Sequence, residues 1–169
     1  MDSPAIELVS PSTADRLAAA RDLIAEYAAA LQVDLCFQQI DAELESLPGD
    51  YAEPNGALLL AYCDGELAGC AALRPLPEAD EANACEMKRL YVRRAFRRFG
   101  LGRQLAEALV ARAIGAGYSV MLLHTLDEME AARQLYVSLG FQDVPPYYYN
   151  PIAGAHYLRL SLDSATSRY

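Results

Sequence analysis

The fold of this chain is decided by residues 88–103, which read KRLYVRRAFRRFGLGR. The apolar positions at its start predict the end of a strand, and Leu101 opens an amphipathic pattern typical of a long helix. Gly100 and Gly102 lie between the two, where they let the backbone approach a ligand closely. Backbone N–H groups of such a turn and of the first helical turn point to one place, which attracts phosphate. The stretch therefore predicts a strand, a phosphate-binding turn and a helix.

The same stretch carries half of the positive charge of the chain. It holds seven of the 14 Lys and Arg residues and no acid, although the chain has 23 Asp and Glu residues and a net charge of −9. We term these seven residues the basic island: Lys88, Arg89, Arg93, Arg94, Arg97, Arg98 and Arg103. The acidic remainder excludes a nucleic-acid binder, which needs an extended basic face. A compact island favours a small polyanion, with a solvated basic face as the alternative.

Length and composition predict one globular domain over residues 1–169, with a core from about residue 5 to residue 163. The chain is 53% hydrophobic and 22% charged, which excludes a disordered protein. No apolar run approaches the ~20 residues of a membrane helix, and residues 1–4 do not resemble the start of a signal peptide. We therefore expect a cytoplasmic protein without a membrane partner. The four cysteines lack zinc-site spacing, so we expect no metal and reduced, packed thiols.

Hydrophobic periodicity and turn residues predict the order β-α-α-β-β-β-α-β-α-β-β, a mixed α/β fold. The predicted strands are residues 5–9, 57–63, 67–73, 85–92, 119–124, 141–144 and 156–162. The predicted helices run from about residue 13 to 30, 40 to 47, 101 to 116 and 128 to 139. Asp64-Gly65 is a hairpin signal.

Two motifs resemble those of the GNAT superfamily of acyl-CoA-dependent N-acetyltransferases. Arg97-x-x-Gly100-x-Gly102 matches the R/Q-x-x-G-x-G/A motif, and residues 132–141, ARQLYVSLGF, resemble A-x-x-L-Y-x-x-x-G-F. Residues 87–92 are similar to the family's fourth strand, and the element order agrees from about residue 6 to residue 162. The resemblance implies a mixed central sheet whose fourth and fifth strands splay apart.

The resemblance also implies acetyl-CoA as cosubstrate, with no metal. In such enzymes the turn amides bind the pyrophosphate and the fourth strand pairs with the pantetheine arm. The positions that match are Leu90, Tyr91, Val92, Arg97, Arg98, Phe99, Gly100, Leu101, Gly102 and Arg103. One departure is Met129, which stands where many relatives carry an Asn that helps to hold the cofactor.

Transfer of an acyl group to an amine needs a proton acceptor and a proton donor. Glu86 lies 11 positions before Arg97, where some relatives carry a base; its alternative is an ion pair with Lys88 or Arg89. Tyr136 matches the family tyrosine near the thioester sulfur; its alternative is core packing.

The acceptor site is less defined, and its candidates are Tyr27, Phe37, Arg74 and Tyr148, with Tyr51 beside them. Acids between residues 34 and 45 would suit a cationic amine, or form a solvated helix face, whereas Arg74 could pair with an acceptor carboxylate or a structural acid. We expect His124 to be structural. The acceptor could be a small molecule or a protein amine, and a homodimer is possible.

The sequence therefore predicts an N-acetyltransferase that moves acetyl from acetyl-CoA to a primary amine by direct attack. A covalent route through Cys85 lacks an obvious activating histidine. The alternative function is a non-catalytic acyl-CoA-binding or regulatory module on the same fold, for which Met129 is the only support in the sequence.

Overall fold

The computed structural model describes residues 4–30, 40–77, 79, 81–126, 130–146 and 155–162. These residues form seven strands and four α-helices in the predicted order. The strands are β1 (Ile6–Val9), β2 (Ala57–Cys63), β3 (Glu66–Pro75), β4 (Ala84–Val92), β5 (Val120–Leu126), β6 (Gln142–Val144) and β7 (Ala155–Ser161). The helices are α1 (Ala14–Ala30), α2 (Ile40–Ser46), α3 (Leu101–Gly115) and α4 (Glu130–Ser138). Two 3₁₀ segments, Gly49–Tyr51 and Arg94–Phe99, were not predicted.

The strands form one mixed sheet in the order β1-β2-β3-β4-β5-β7-β6. Only β4 and β5 run parallel, because α3 carries the chain from the end of one to the start of the other. The β2–β3 hairpin turns at Asp64 and Gly65, both with positive φ, as a two-residue type I′ turn requires. The predicted mixed α/β fold is confirmed.

Helices cover both faces of the sheet, because β2 and β3 are apolar on both sides. Alternate residues of these strands pack with α1 in one cluster that includes Leu23, Ile24 and Leu60. The intervening residues pack with α3 in the larger cluster, around Leu105 and Leu109. The two faces are referred to below as the α1/α2 face and the α3/α4 face.

A β-bulge in β4 changes which side chains reach each face. The register between β3 and β4 shifts between Cys70 and Ala72, and Arg89 has φ of 60°. Before the bulge, Met87 packs on the α3/α4 face. After it, Tyr91 packs on the α1/α2 face, and Leu90 and Val92 on the other. The extra residue therefore sends two adjacent basic side chains, Lys88 and Arg89, to the α1/α2 face.

Candidate active site

The sheet opens between β4 and β5. The two strands pair only from Ala84 with Val120 to Glu86 with Leu122, yet both continue beyond, to Val92 and Leu126. The backbone of β4 after Glu86 thus faces a gap where the neighbouring strand would otherwise be. We term this gap the splay; its presence confirms the expected separation of the fourth and fifth strands. It leaves backbone polar groups that an extended ligand can pair with.

Glu86 lies at the apex of the splay and is completely buried. Its Oε1 accepts a hydrogen bond from Arg74 Nε at 3.0 Å, from the residue directly opposite on β3. A buried carboxylate needs such a partner, because an unpaired charge inside a protein is costly. The ion-pair partner is therefore Arg74, rather than Lys88 or Arg89 as the sequence suggested. Arg74, a candidate acceptor ligand, is held at the apex by this pair.

His124 joins this pair on the α1/α2 face, although the sequence suggested only a structural role. Its Nδ1 lies 3.7 Å from Glu86 Oε2, and its ring centroid is 5.9 Å from that of Tyr157. The side chains of Arg74 and His124 are 18% and 16% exposed, so the Glu86 carboxylate lies one side chain below the surface. Strand alternation was the available signal, since His124 is two residues beyond Leu122, which pairs with Glu86.

Tyr136 approaches from the α3/α4 face. It is 6% exposed on α4, and its ring meets that of Phe141 edge-on at 5.7 Å. Burial raises the pKa of Tyr136 strongly, and the nearby Tyr27 phenol raises it further. The hydroxyl is therefore protonated at neutral pH. Tyr27, the candidate acceptor residue on α1, contacts Tyr91 with 5.6 Å between ring centroids.

Two members of the basic island bind acids of α1 and α2. Arg89 forms a bidentate pair with Glu43, with both nitrogen–oxygen distances 2.9 Å. Arg93 contacts both carboxylate oxygens of Glu26 at 3.1 Å. These arginines hold the helices against β4, so this part of the island has a structural role. Tyr51 is buried beside Glu43 and Arg89, so it belongs to this structural cluster rather than to an open acceptor surface.

Arginines that remain exposed surround the turn before α3. Arg97 Nε donates to the Val92 carbonyl at 2.8 Å, Arg98 lies over the Phe99 ring, and Arg103 Nη2 donates to Ser138 Oγ at 2.6 Å. Gly100, with φ of 75°, begins α3 without a side-chain cap. The first amides of α3 are therefore available to an anion.

Cys85 points away from Glu86, into the core under α3. Burial raises its pKa to about 12, and its Sγ contacts the Val120 carbonyl at 3.5 Å. Such a thiol is not a thiolate at neutral pH, so Cys85 is unsuited to a covalent route. Cys63 and Cys70 are also buried and unpaired, as expected.

Three predicted positions lie outside the described residues: Phe37, Met129 and Tyr148. Within the described part of the chain, no group of three or more metal-ligating side chains occurs. None of the helices there is long and apolar enough to cross a membrane.

Comparison with known proteins agrees with this geometry. The sequence model of the acetyltransferase (GNAT) family matches residues 20–141. An uncharacterised N-acetyltransferase of Schizosaccharomyces pombe is 40% identical over 141 residues, covering 83% of this chain and 85% of the relative. A GNAT acetyltransferase structure from Staphylococcus aureus superposes with a TM-score of 0.76 at 17% identity, over 94% of this chain and 99% of that one. A Salmonella typhimurium structure that contains acetyl-CoA superposes with a TM-score of 0.69 at 21% identity, over 94% and 95% of the two chains.

The fold and the relatives together define an enzyme of the acyltransferase class. The chain belongs to the GNAT family of acetyltransferases.

Proposed function

We propose that the protein transfers the acetyl group of acetyl-CoA to a primary amine by direct attack of the amine. The observation that carries this proposal is the splay, where Glu86 and Tyr136 stand on opposite faces of one sheet. One face supplies a carboxylate and the other a protonated phenol, so a proton can be accepted on one side and donated on the other.

The turn and the splay fit acetyl-CoA. The uncapped amides of α3 and the exposed Arg97, Arg98 and Arg103 suit its phosphates. A side chain added at Gly100 would meet nothing within 4 Å, so the surface at the turn is open. The backbone of Leu90, Tyr91 and Val92 lies along the splay, where an extended arm can pair with it. When bound, acetyl-CoA supplies the thioester from which the acetyl group is transferred.

Glu86 is the proposed proton acceptor. The amine must be neutral to attack, and a carboxylate near the reacting nitrogen removes its proton. Arg74 donates a hydrogen bond to the carboxylate and balances its charge in a buried place, and His124 lies beside it on the α1/α2 face.

Tyr136 is the proposed proton donor to the departing thiolate. Its raised pKa keeps the hydroxyl protonated, so it can donate a hydrogen bond to the sulfur as negative charge develops there. The edge-on contact with Phe141 fixes the ring. The inert environment of Cys85 favours this direct route over a covalent intermediate.

The experiment is an acceptor screen in which thiol release from acetyl-CoA is measured against free amino acids, their amides, polyamines, aminoglycosides and peptides. Turnover with an amine, and an acetylated product of the expected mass, are the predicted results. Tight calorimetric binding of CoA without turnover on any amine would contradict the proposal and favour the non-catalytic module.

A further inference from the structure

We propose that the acceptor amine also carries a carboxylate, and that Lys88 binds this carboxylate on the α1/α2 face beside Glu86. The inference rests on the proposed function, because it concerns the acceptor side of the same splay. It narrows the acceptor class to small amino acids, in which amine and carboxylate are separated by one or two carbons.

Lys88 is a half-buried cation that lies two residues beyond Glu86 on β4. Within the described part of the chain it forms no hydrogen bond or ion pair, in contrast to Arg74, Arg89 and Arg93. A charged ammonium group taken out of water without a partner is costly. Burial accordingly lowers the pKa of Lys88, and the neighbouring Arg89 lowers it further.

Among the described residues, the charged groups around Lys88 include one more cation than anions. Glu86 is matched by Arg74 and Glu43 by Arg89, each through a close contact. Both acids attract Lys88 and both arginines repel it, and among the described residues no further acid pairs with Lys88. An arriving carboxylate would restore the balance and stabilise the charged form of the lysine. Because Glu43 is paired with Arg89, it is not available to bind a cationic acceptor, a role that the sequence had suggested for the acids of this segment.

The spacing suits a small molecule. Residues two apart on one face of a strand lie about 6.6 Å from each other along the chain. An amine beside Glu86 and a carboxylate beside Lys88 therefore belong to one compact molecule. A lysine side chain in a protein has no carboxylate at this distance, and a peptide amino terminus has one only when its first residue is Asp or Glu.

Lys88 lies away from the turn that we propose as the phosphate site. Lys88 is on the α1/α2 face near the apex of the splay, whereas the uncapped amides of α3 follow the far end of β4. Tyr136, the proposed donor to the thiolate, lies on the opposite face. A second anion site on the acceptor side is thus available to the acceptor rather than to the cosubstrate.

The experiment compares L-amino acids with their carboxamides as acceptors, using the intact protein and thiol release. For the wild type we expect kcat/KM for the preferred amino acid to exceed that of its amide by about 10-fold or more, as charge-assisted hydrogen bonds allow. Lys88→Gln should raise KM for the acid by about 10- to 100-fold and change KM for the amide less than about twofold. Lys88→Arg should restore much of the preference for the acid.

Arg112→Gln is the matched control, since Arg112 is an exposed cation on α3 that pairs with Glu53 far from the splay. It should leave the ratio of acid to amide unchanged. Equal use of acids and amides by the wild type, or an equal loss on both in Lys88→Gln with unchanged melting temperature, overturns the inference while the proposed function stands. Absence of turnover on every amine overturns the proposed function instead.

Discussion

Gly100 and Gly102 both belong to the motif, but they differ in backbone conformation and in the space available for a side chain. Gly100 has φ of 75°, a conformation in which other residues are strained. Gly102 lies inside the first turn of α3, and an added Cβ there would be 3.5 Å from Leu135 Cδ2, an ordinary contact. The fold therefore requires a glycine at residue 100, whereas at residue 102 the fold would accept a Cβ, and we propose that a glycine there allows the close approach of a ligand.

Substitution by alanine separates the two roles. Gly100→Ala should lower the free energy of unfolding by about 1 kcal/mol or more, because of backbone strain. Gly102→Ala should keep or slightly raise stability, by up to about 1 kcal/mol, yet weaken CoA binding. Chemical denaturation and calorimetry measure the two effects. A Gly102→Ala protein that binds CoA as the wild type does would show that phosphates do not approach this position.

The ion-pair partner of Glu86 could not be predicted from the sequence. Glu86 could be selected from its distance to the motif, but its partner is set by the register of β3 against β4. Lys88 and Arg89 are closer to Glu86 in sequence and lie on the same face, but Arg74 lies directly opposite Glu86 on β3, and Arg89 pairs with Glu43 instead. His124 was missed for the same reason, because the pairing of β5 with β4 brings it to Glu86.

At the scale of elements, local signals predicted nearly all of the fold. The hairpin at Asp64-Gly65 and the apolar strands are each determined by a few neighbouring residues. Thr13 Oγ1 accepts a hydrogen bond from the Arg16 N–H and so caps the start of α1. The bulge at Arg89 could not be predicted, since it depends on how β4 pairs with β3. Its consequence is the buried pair of Arg89 with Glu43, which holds α2 against the sheet.

This pair predicts a loss of stability in acid. Burial acts to raise the pKa of Glu43, but hydrogen bonds from Arg89 outweigh it and hold the pKa below 4.5. The folded state then binds fewer protons than the unfolded state, so the contribution is complete above about pH 4.5 and disappears as the pH falls through the lower folded value. Urea unfolding between pH 3 and pH 7 should show this decline.

Glu43→Gln should flatten that dependence, with a lower stability at neutral pH because Arg89 remains buried without a carboxylate. Glu45→Gln, on an exposed position of the same helix, is the control and should retain the dependence. An identical pH dependence in all three proteins would show that Glu43 does not carry the effect.

For the whole molecule, the contrast between a net charge of −9 and a compact basic island had suggested a polyanion ligand. The structure divides the island. Arg89 and Arg93 bind acids of the helices, and Lys88 lies on the α1/α2 face of the sheet. The arginines near Gly100 are exposed, and we propose that they bind the phosphates. The total charge was readable from composition, but this division depends on which face of β4 each side chain occupies.

Neutralising Arg98 and Arg103 together should weaken CoA binding by about 10- to 100-fold and make it less sensitive to salt, because two charged contacts are removed. Titration calorimetry at 50 mM and 300 mM NaCl would measure both effects, with Arg112→Gln as a control that changes neither. Unaltered affinity and salt dependence in the double variant would assign the phosphates to other groups.

The most direct test of the account is the pH–rate profile of Glu86→Gln beside that of Arg74→Gln, with the best acceptor of the screen. Both variants break the same buried pair, but only the first removes the carboxylate. We predict that Glu86→Gln lowers kcat by about 10²- to 10⁴-fold and removes the acidic limb. Arg74→Gln should lose less activity and move that limb to higher pH, because a carboxylate without its arginine binds protons more readily. Equal losses in the two variants, with the wild-type profile retained in Glu86→Gln, would contradict the role of Glu86 as the base.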